Sequence, residues 1–473
     1  MTGSRLSALD ASFLAVESPT AHMHVGWASV FDPPEEGAPR FEELRDHVAR
    51  RLPRAPRYRQ MLQPVPLGVN TPVWVDDQRF DIARHVVPAR SDRLDEIVAT
   101  FMSEPLPHDR PLWQLCVAER LADGRVGIVG KAHHCMVDGI AAVELASLLL
   151  DPEPDADPGL EPDRWVPETA PADADLLLSG LTDFVRSQLE LATLPARIAN
   201  SPRRALGLAG RAQRAARALV SSARPATLAG RLNQPISPSR RLGVLSRRLE
   251  DLQQIKGRFD VKLNDVLLAA SAGGVRRFLR DRGEAPAPLK TMVPVSVRGG
   301  DGAEALGNRI SFMFVDLPCD EPDPVRRLRR VHAQTRERKD DGEPEGADDL
   351  LRSVGFAPAP VQGIVSRLVA SPRAFNLTVS NIPGPSEAMY MRGCRLVEAY
   401  PVVPIADRHA LSIGMTTVGD GAFFGLYADP ETLPDVEQLA GEIDAEIDAL
   451  IELGRSGAAT AQATEALAPA GFG

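Results

Sequence analysis

Two adjacent histidines stand five and four residues ahead of an aspartate in Lys131-Ala-His-His-Cys-Met-Val-Asp-Gly139, between a short apolar run and a longer one. Val126, Ile128 and Val129 read as a buried strand, and Ile140 to Leu150 as a strongly apolar helix. The histidines therefore occupy a strand-to-helix loop. On an extended backbone neighbouring side chains point to opposite faces, so His133 and His134 do not share one role. One faces a cleft and the other packs.

A histidine so placed can take a proton near neutral pH. The turn that follows brings Asp138 back beneath the loop, where its carboxylate either fixes the backbone, orients an imidazole or simply N-caps the helix. Gly139 leaves room for close packing.

Length and composition set wider bounds. A chain of 473 residues suggests two or three domains, and 44% apolar with 25% charged residues is ordinary for a soluble globular protein. Cys116, Cys135, Cys319 and Cys394 have no C-x-x-C spacing, which argues against a zinc cluster and a disulfide framework and favours a reducing cytoplasm. The first ten residues lack the apolar core of a signal peptide, and no run of eighteen apolar residues exists, so nothing is expected to span a membrane. There is no G-x-S-x-G elbow, no phosphate-binding G-x-x-x-x-G-K-[ST] loop and no H-E-x-x-H pair. A covalent serine mechanism is not expected, and neither a metal nor a cofactor is implied.

Charge is unevenly spread. From Arg186 to Arg248 there are thirteen arginines and one acid, Glu190, so this stretch carries about +12 and the remainder about −22. A Pro/Asp-rich run from Asp151 to Ala174 precedes it. Leu189, Leu191, Leu194, Ile198, Leu206 and Leu208 lie among the arginines, in amphipathic pieces broken by Pro195, Pro202 and Pro225. Without aromatic residues to stack on bases the stretch does not suit nucleic acid. It reads either as a solvated interdomain helix pair or as a surface for anionic membrane or lipid droplets. Lys339 to Asp349 reads as a solvated loop, and Gly454 to Gly473 as a frayed tail.

Elsewhere helix and strand patterns alternate. Helices are expected at Phe41–Arg51, Arg93–Met102, Asn264–Arg282, Pro324–Arg338 and Pro434–Leu453. Strands are expected at Ala28–Phe31, Trp113–Ala118, Thr291–Val297, Ser311–Leu317, Leu377–Ser380, Ala410–Thr417 and Ala422–Ala428, with a hairpin turn at Gly419-Asp-Gly421.

The HHxxxDG pattern, with several further motifs in order, resembles the bacterial wax ester synthase/diacylglycerol acyltransferase family, which is related to chloramphenicol acetyltransferase and to condensation domains. Leu9-Asp-Ala-Ser-Phe-Leu14 with Met23-His-Val-Gly26 resembles the family's opening strand and loop. Pro111-Leu-Trp113, Asn264-Asp265, Pro294-Val-Ser-Val-Arg298, Gly307-Asn308 and Ser380-Asn-Ile-Pro-Gly-Pro385 follow, so the resemblance runs from about Leu6 to Leu453. Gln114 departs from it, since an acidic residue commonly follows the Trp.

The resemblance implies an α/β fold of two chloramphenicol-acetyltransferase-like lobes with mixed sheets, joined by a helical crossover, with the active site at the lobe interface. The expected divisions are 1–180, a basic connector at 181–240, a second lobe at 241–455 and a disordered tail at 456–473. It also implies direct acyl transfer from acyl-CoA, as substrate, to a long-chain alcohol or diacylglycerol. His134 corresponds to the general base and His133 to a supporting residue, with a rate rising through an apparent pKa near that of an ordinary histidine. Asp138 is expected to be structural and to pair with Arg298.

Ser380, Asn381 or a backbone N–H beside Gly384 is either an oxyanion donor or part of a tight strand-ending turn. Asn264 is either catalytic or an N-cap, with Asp265 favouring the helix dipole. Trp113 lines the acyl chain or belongs to the core. The lipid substrates suggest a cytoplasmic protein peripheral to the inner membrane or to lipid droplets. Two other readings stay open: a condensation-type amide-forming enzyme, and a catalytically silent lipid-surface protein.

Overall fold

The computed structural model describes residues 4–136, 149–154, 163–199, 225–297, 309–347 and 359–466. Helix α1 (Ala8–Val16) leads into β1 (His24–Asp32), followed by α2 (Phe41–Arg51), a hairpin of β2 (Gln60–Gln63) and β3 (Val73–Asp76), β4 (Val86–Pro88), α3 (Leu94–Ser103), β5 (Trp113–Ala118) and β6 (Val126–His133). Helix α4 (Asp173–Ala199) opens the connector. The second half runs through β7 (Arg241–Arg248), α5 (Leu249–Phe259), α6 (Leu263–Asp281), β8 (Leu289–Val297), β9 (Arg309–Leu317), α7 (Pro324–Asp340) and α8 (Ala359–Val369). It ends with β10 (Leu377–Ile382), β11 (Tyr390–Met391), β12 (Cys394–Val402), β13 (Leu411–Val418), β14 (Gly421–Ala428) and α9 (Val436–Ala466).

Local chemistry explains the elements. In α2, Leu44, His47, Val48 and Arg51 recur at helical spacing and are buried, while Glu42 and Glu43 begin the helix and Arg50 and Arg51 end it, in keeping with its dipole. The β13–β14 hairpin closes over Gly419 and Asp420, and Gly419 takes the positive φ of 56° that such a tight turn requires.

Two six-stranded sheets result, in the orders β11-β12-β1-β6-β5-β4 and β7-β14-β13-β10-β8-β9. In the second, β10 runs parallel to both neighbours. Strand β6 sits inside the first sheet between β1 and β5, and every one of its residues is buried. Its first half, Val126 to Val129, accordingly shows no alternation with polar residues.

The second sheet begins with β7 at Arg241, but the first sheet is not built from the first half of the chain alone. Strand β12 lies far along the second half, yet it pairs antiparallel with β1 in the first sheet, from Gly26↔Val402 to Asp32↔Arg395. Two glycines permit this crossing. A Cβ on Gly425 would lie 2.1 Å from the Pro401 carbonyl oxygen, and one on Gly414 would lie 2.9 Å from the Pro401 ring. The two sheets thus share one continuous apolar core.

Other boundaries also differ. Residues 9–14 form a helix, not a strand, because Ser7 caps it by accepting from the Asp10 N–H. Helix α4 runs through the expected boundary at 180. The final helix extends to Ala466, past Gly454, so the expected tail at 456–473 is helical over its described residues. The polar run beginning at Lys339 is not simply solvated, because Glu343 is buried, accepts from the Phe314 N–H at 3.1 Å and pairs with Arg338 at 2.9 Å. Most of Ile140–Leu150 and residues 200–224 of the basic connector lie outside the described residues.

Candidate active site

Strand β6 delivers the histidine pair. His133 is its last residue and sits opposite His24 of β1. Its backbone N–H donates to the Leu112 carbonyl at 2.9 Å, and the His134 N–H donates to the Met23 carbonyl at 2.9 Å. With both amides held, the chain turns into a single 3-10 turn over His134–Met136. The two imidazoles consequently enter different surroundings.

His133 is fully buried. Its Nδ1 accepts from the Cys135 N–H at 3.1 Å, which leaves the proton of the neutral ring on Nε2. Nε2 points toward the Glu17 carboxylate, 3.7 Å away. His134 is half-buried and stacks on the Phe13 ring, with centroids 3.7 Å apart and planes 14° from parallel. Its Nδ1 has no hydrogen-bond partner among the described residues. Burial lowers the pKa of each imidazole to about 4, although Glu17 beside His133 and the backbone of His134 itself work the other way. Both rings are therefore neutral at pH 7. A neutral, partly accessible imidazole can accept a proton, and His134 is the one so placed.

Helix α1 addresses both rings. Phe13 and Glu17 are four residues apart, on one face of the helix and its C-cap. Glu17 is shared with the exposed His108, whose Nε2 lies 3.0 Å from the carboxylate and whose pKa is raised by that hydrogen bond. Behind the site, buried Lys131 donates to the Phe101 and Glu104 carbonyls at 2.6 and 2.7 Å, fastening the end of α3 to β6. Burial lowers its pKa to about 8.

The remaining expected site residues are dispersed. Asp138, Gly139 and Arg298 lie outside the described residues, as does any Asp138–Arg298 pair. Trp113 is a core residue, 1% exposed, with its indole N–H donating to the Tyr58 carbonyl at 2.8 Å and its ring stacked on His85. Asn264 does not N-cap α6, since the helix begins a residue earlier, after Lys262. Asp265 instead carries the cap by accepting from the Lys262 N–H at 2.9 Å. The same buried carboxylate holds His332 and Thr335 of α7, each at 2.7 Å.

Ser380 and Asn381 end β10 beside β13, and neither side chain hydrogen-bonds to another described residue. Gly384 is needed for packing, because a Cβ there would lie 1.9 Å from the Thr417 carbonyl oxygen. No hydrogen bond or ring contact joins these three to the histidines. Glu17 and His108 are neighbours that motif reading passed over, and Phe13 lay within the Leu9–Leu14 motif without a role. Ser7-Ala-Leu-Asp10 ahead of an apolar run was the available signal for α1.

Two interleaved mixed sheets with a histidine pair ending a central strand define the two-lobed, chloramphenicol-acetyltransferase-like class. The chain belongs to the wax ester synthase/diacylglycerol acyltransferase family: residues 6–267 match its catalytic domain and residues 306–451 its C-terminal domain. It is an acyltransferase. A probable diacylglycerol O-acyltransferase of Mycobacterium tuberculosis is 33% identical over 462 residues, covering 95% of this chain and 96% of the relative. A second from that organism is 30% identical over 459 residues, covering 93% and 96%. Among solved structures, the wax ester synthase/diacylglycerol acyltransferase of Marinobacter aquaeolei VT8 aligns over 95% of this chain and 99% of its own at a TM-score of 0.67 and 24% identity. A condensation domain of the calcium-dependent antibiotic synthetase aligns over 96% of each chain at a TM-score of 0.59 and 16% identity.

Proposed function

We propose that this protein transfers a fatty acyl group from acyl-CoA to the hydroxyl of diacylglycerol or a long-chain alcohol, with His134 as general base. The observation that carries this reading is a neutral, half-buried His134 at the end of β6 in a chain of this family. As the acceptor oxygen attacks the thioester carbonyl, His134 takes the hydroxyl proton. The new C–O bond forms, the C–S bond breaks, and the proton passes to the departing sulfur, giving an ester and free CoA thiol. No covalent enzyme intermediate is needed. Ser380 and Asn381 are the candidate donors to the oxyanion.

His133 supports the loop by packing and by its bond with the Cys135 N–H. The protein works at a lipid surface, on the cytoplasmic face of the inner membrane or on lipid droplets. Two features support peripheral attachment. One is the arginine-rich connector, and the other is that no helix among the described residues is long and apolar enough to cross a membrane. The test is thiol release from palmitoyl-CoA with hexadecanol and dioleoylglycerol in competition, followed by product analysis. Acylation of an amine in preference to either alcohol would replace this reading with the condensation one.

A further inference from the structure

The exposed apolar surface beside the histidines lies on two helices from opposite halves of the chain. Helix α1, Ala-Leu-Asp-Ala-Ser-Phe-Leu-Ala-Val, is apolar but for Asp10 and Ser12, and none of its residues is fully buried, Leu9 being exposed. Helix α8 exposes Val361 (44%), Ile364 (57%) and Leu368 (66%), spaced three and four residues apart on a single face.

The helices are joined. They pack against each other where Gly363 faces Ala15, a Cβ at that glycine lying 3.7 Å from the Ala15 Cβ, an ordinary van der Waals contact. Arg367 Nε donates to the Ala15 carbonyl at 3.0 Å, meeting one of the free carbonyls at the negative end of α1. On its other side α1 lays Phe13 on His134. One helix therefore separates the aliphatic stripe from the catalytic imidazole.

Charge indicates what covers the stripe. In a chain of net charge −10, residues 350–386 contain no acid, and α8 carries the exposed cation Arg367 in its last turn with exposed Arg373 just beyond its end. A second exposed stripe, Leu178, Leu181, Val185 and Leu189 on α4, shares its helix with Asp173, Asp175 and Asp183, which an anionic surface would repel. On α8 the spaced aliphatic side chains come with cations and no acid, which matches an anionic lipid surface, while the acids of α1 and its cap are engaged within the protein, Asp10 by Ser7 and Glu17 by His108.

We propose that the α1–α8 pair is the face on which this protein rests on anionic lipid, with Val361, Ile364 and Leu368 entering the headgroup boundary and Arg367 and Arg373 meeting lipid phosphates. The inference rests on the acyltransferase reading above only in that the acceptor is borne by that surface.

The test uses the full chain floated with vesicles of phosphatidylcholine alone and of phosphatidylcholine with phosphatidylglycerol, each carrying diacylglycerol. The wild type should float with the anionic vesicles and be released by salt. I364E/L368E should float roughly tenfold less and lose vesicle-borne diacylglycerol acylation in proportion. Its melting temperature, and its thiol release with a water-soluble short-chain alcohol, should stay near wild type. The milder I364Q/L368Q provides the same reading if the charged variant is unstable, and L178E/L181E on α4 should float normally.

The proposal is overturned if the wild type does not float or if the α8 variants float unchanged. It is equally overturned if attachment is lost only when connector arginines such as Arg211, Arg214 and Arg217 are neutralised. Normal flotation behaviour without thiol release to any acceptor would sink the proposed activity and leave the docking face standing.

Discussion

Burial lowers the pKa of His134 and leaves its ring without a second proton at physiological pH. In the proposed mechanism it gains one only as the acceptor oxygen commits to the thioester carbon. His134→Ala should lower acyl transfer by about 10²–10⁴-fold with melting unchanged; a folded variant with near wild-type turnover would end the case for this base. The pKa of about 4 moves the expected pH profile away from that of an ordinary histidine. The base works deprotonated, so kcat/KM should hold level from neutral pH down to about 5 and fall only toward 4. A limb centred near 6.5 would show that His134 is solvated in the working enzyme. His133→Ala should act mainly on stability, at about 1–3 kcal/mol, since it leaves the Cys135 N–H unpaired inside the protein.

At the scale of elements, α1 is the part that turns a buried strand end into a site. It sets Phe13 flat on His134 and aims Glu17 at His133 while being pinned to α8. A stacked ring pair contributes about 0.5–1.5 kcal/mol. Phe13→Ala should therefore cut kcat by roughly two- to tenfold, with little change in acyl-CoA KM, whereas Phe13→Tyr should restore most of the rate. Equal losses in kcat and global stability would mean that the helix merely packs.

In the second lobe Glu446 of α9, fully buried, bonds Arg327 of α7 at 2.6 Å and Arg277 of α6 at 3.1 Å. Gly273 makes room for it, since a Cβ there would lie 2.3 Å from the carboxyl carbon. Arg327→Ala leaves a buried carboxylate with one half-exposed partner, and should destabilise the protein by about 3–5 kcal/mol in denaturant melts. A loss under 1 kcal/mol would show that water reaches Glu446.

For the whole molecule, buried histidines make acid the weak side. Burial lowers the pKa of His47, His85, His133, His134 and His409 to about 4 each. In the unfolded chain these rings titrate near 6.5, so between about pH 4 and 6.5 unfolding takes up protons. Their contribution to stability is fully present above about pH 6.5 and is lost progressively as pH falls. His108, raised by Glu17, has the opposite sign, but it is half-exposed and screened. The melting temperature should therefore drop steadily from pH 7.5 to pH 5. An equal or higher value at pH 5 would contradict the burial of these imidazoles.

Much of the secondary structure was legible in the residues themselves. The boundaries of α2 and β5 follow from local periodicity, and most others agree within a few residues, because each buries one face by a pattern written in a single stretch. The histidine pair was legible for the same reason, since strand, histidines and turn are contiguous. What the sequence could not decide was which distant segments complete these pieces. The placement of β12 beside β1 depends on the glycine gaps at Gly414 and Gly425, which have meaning only once Pro401 lies against them. Motif order brought Trp113 and Gly384 near the proposed chemistry, yet packing assigned one to the core and the other to a close approach to the neighbouring strand β13. Glu17 and His108 carry no motif and Phe13 lies in one that gave it no role, and only tertiary packing set them against His133 and His134. Local composition selects helix, strand and turn; burial and pairing across hundreds of residues decide which side chains meet, and a pKa is set by that meeting.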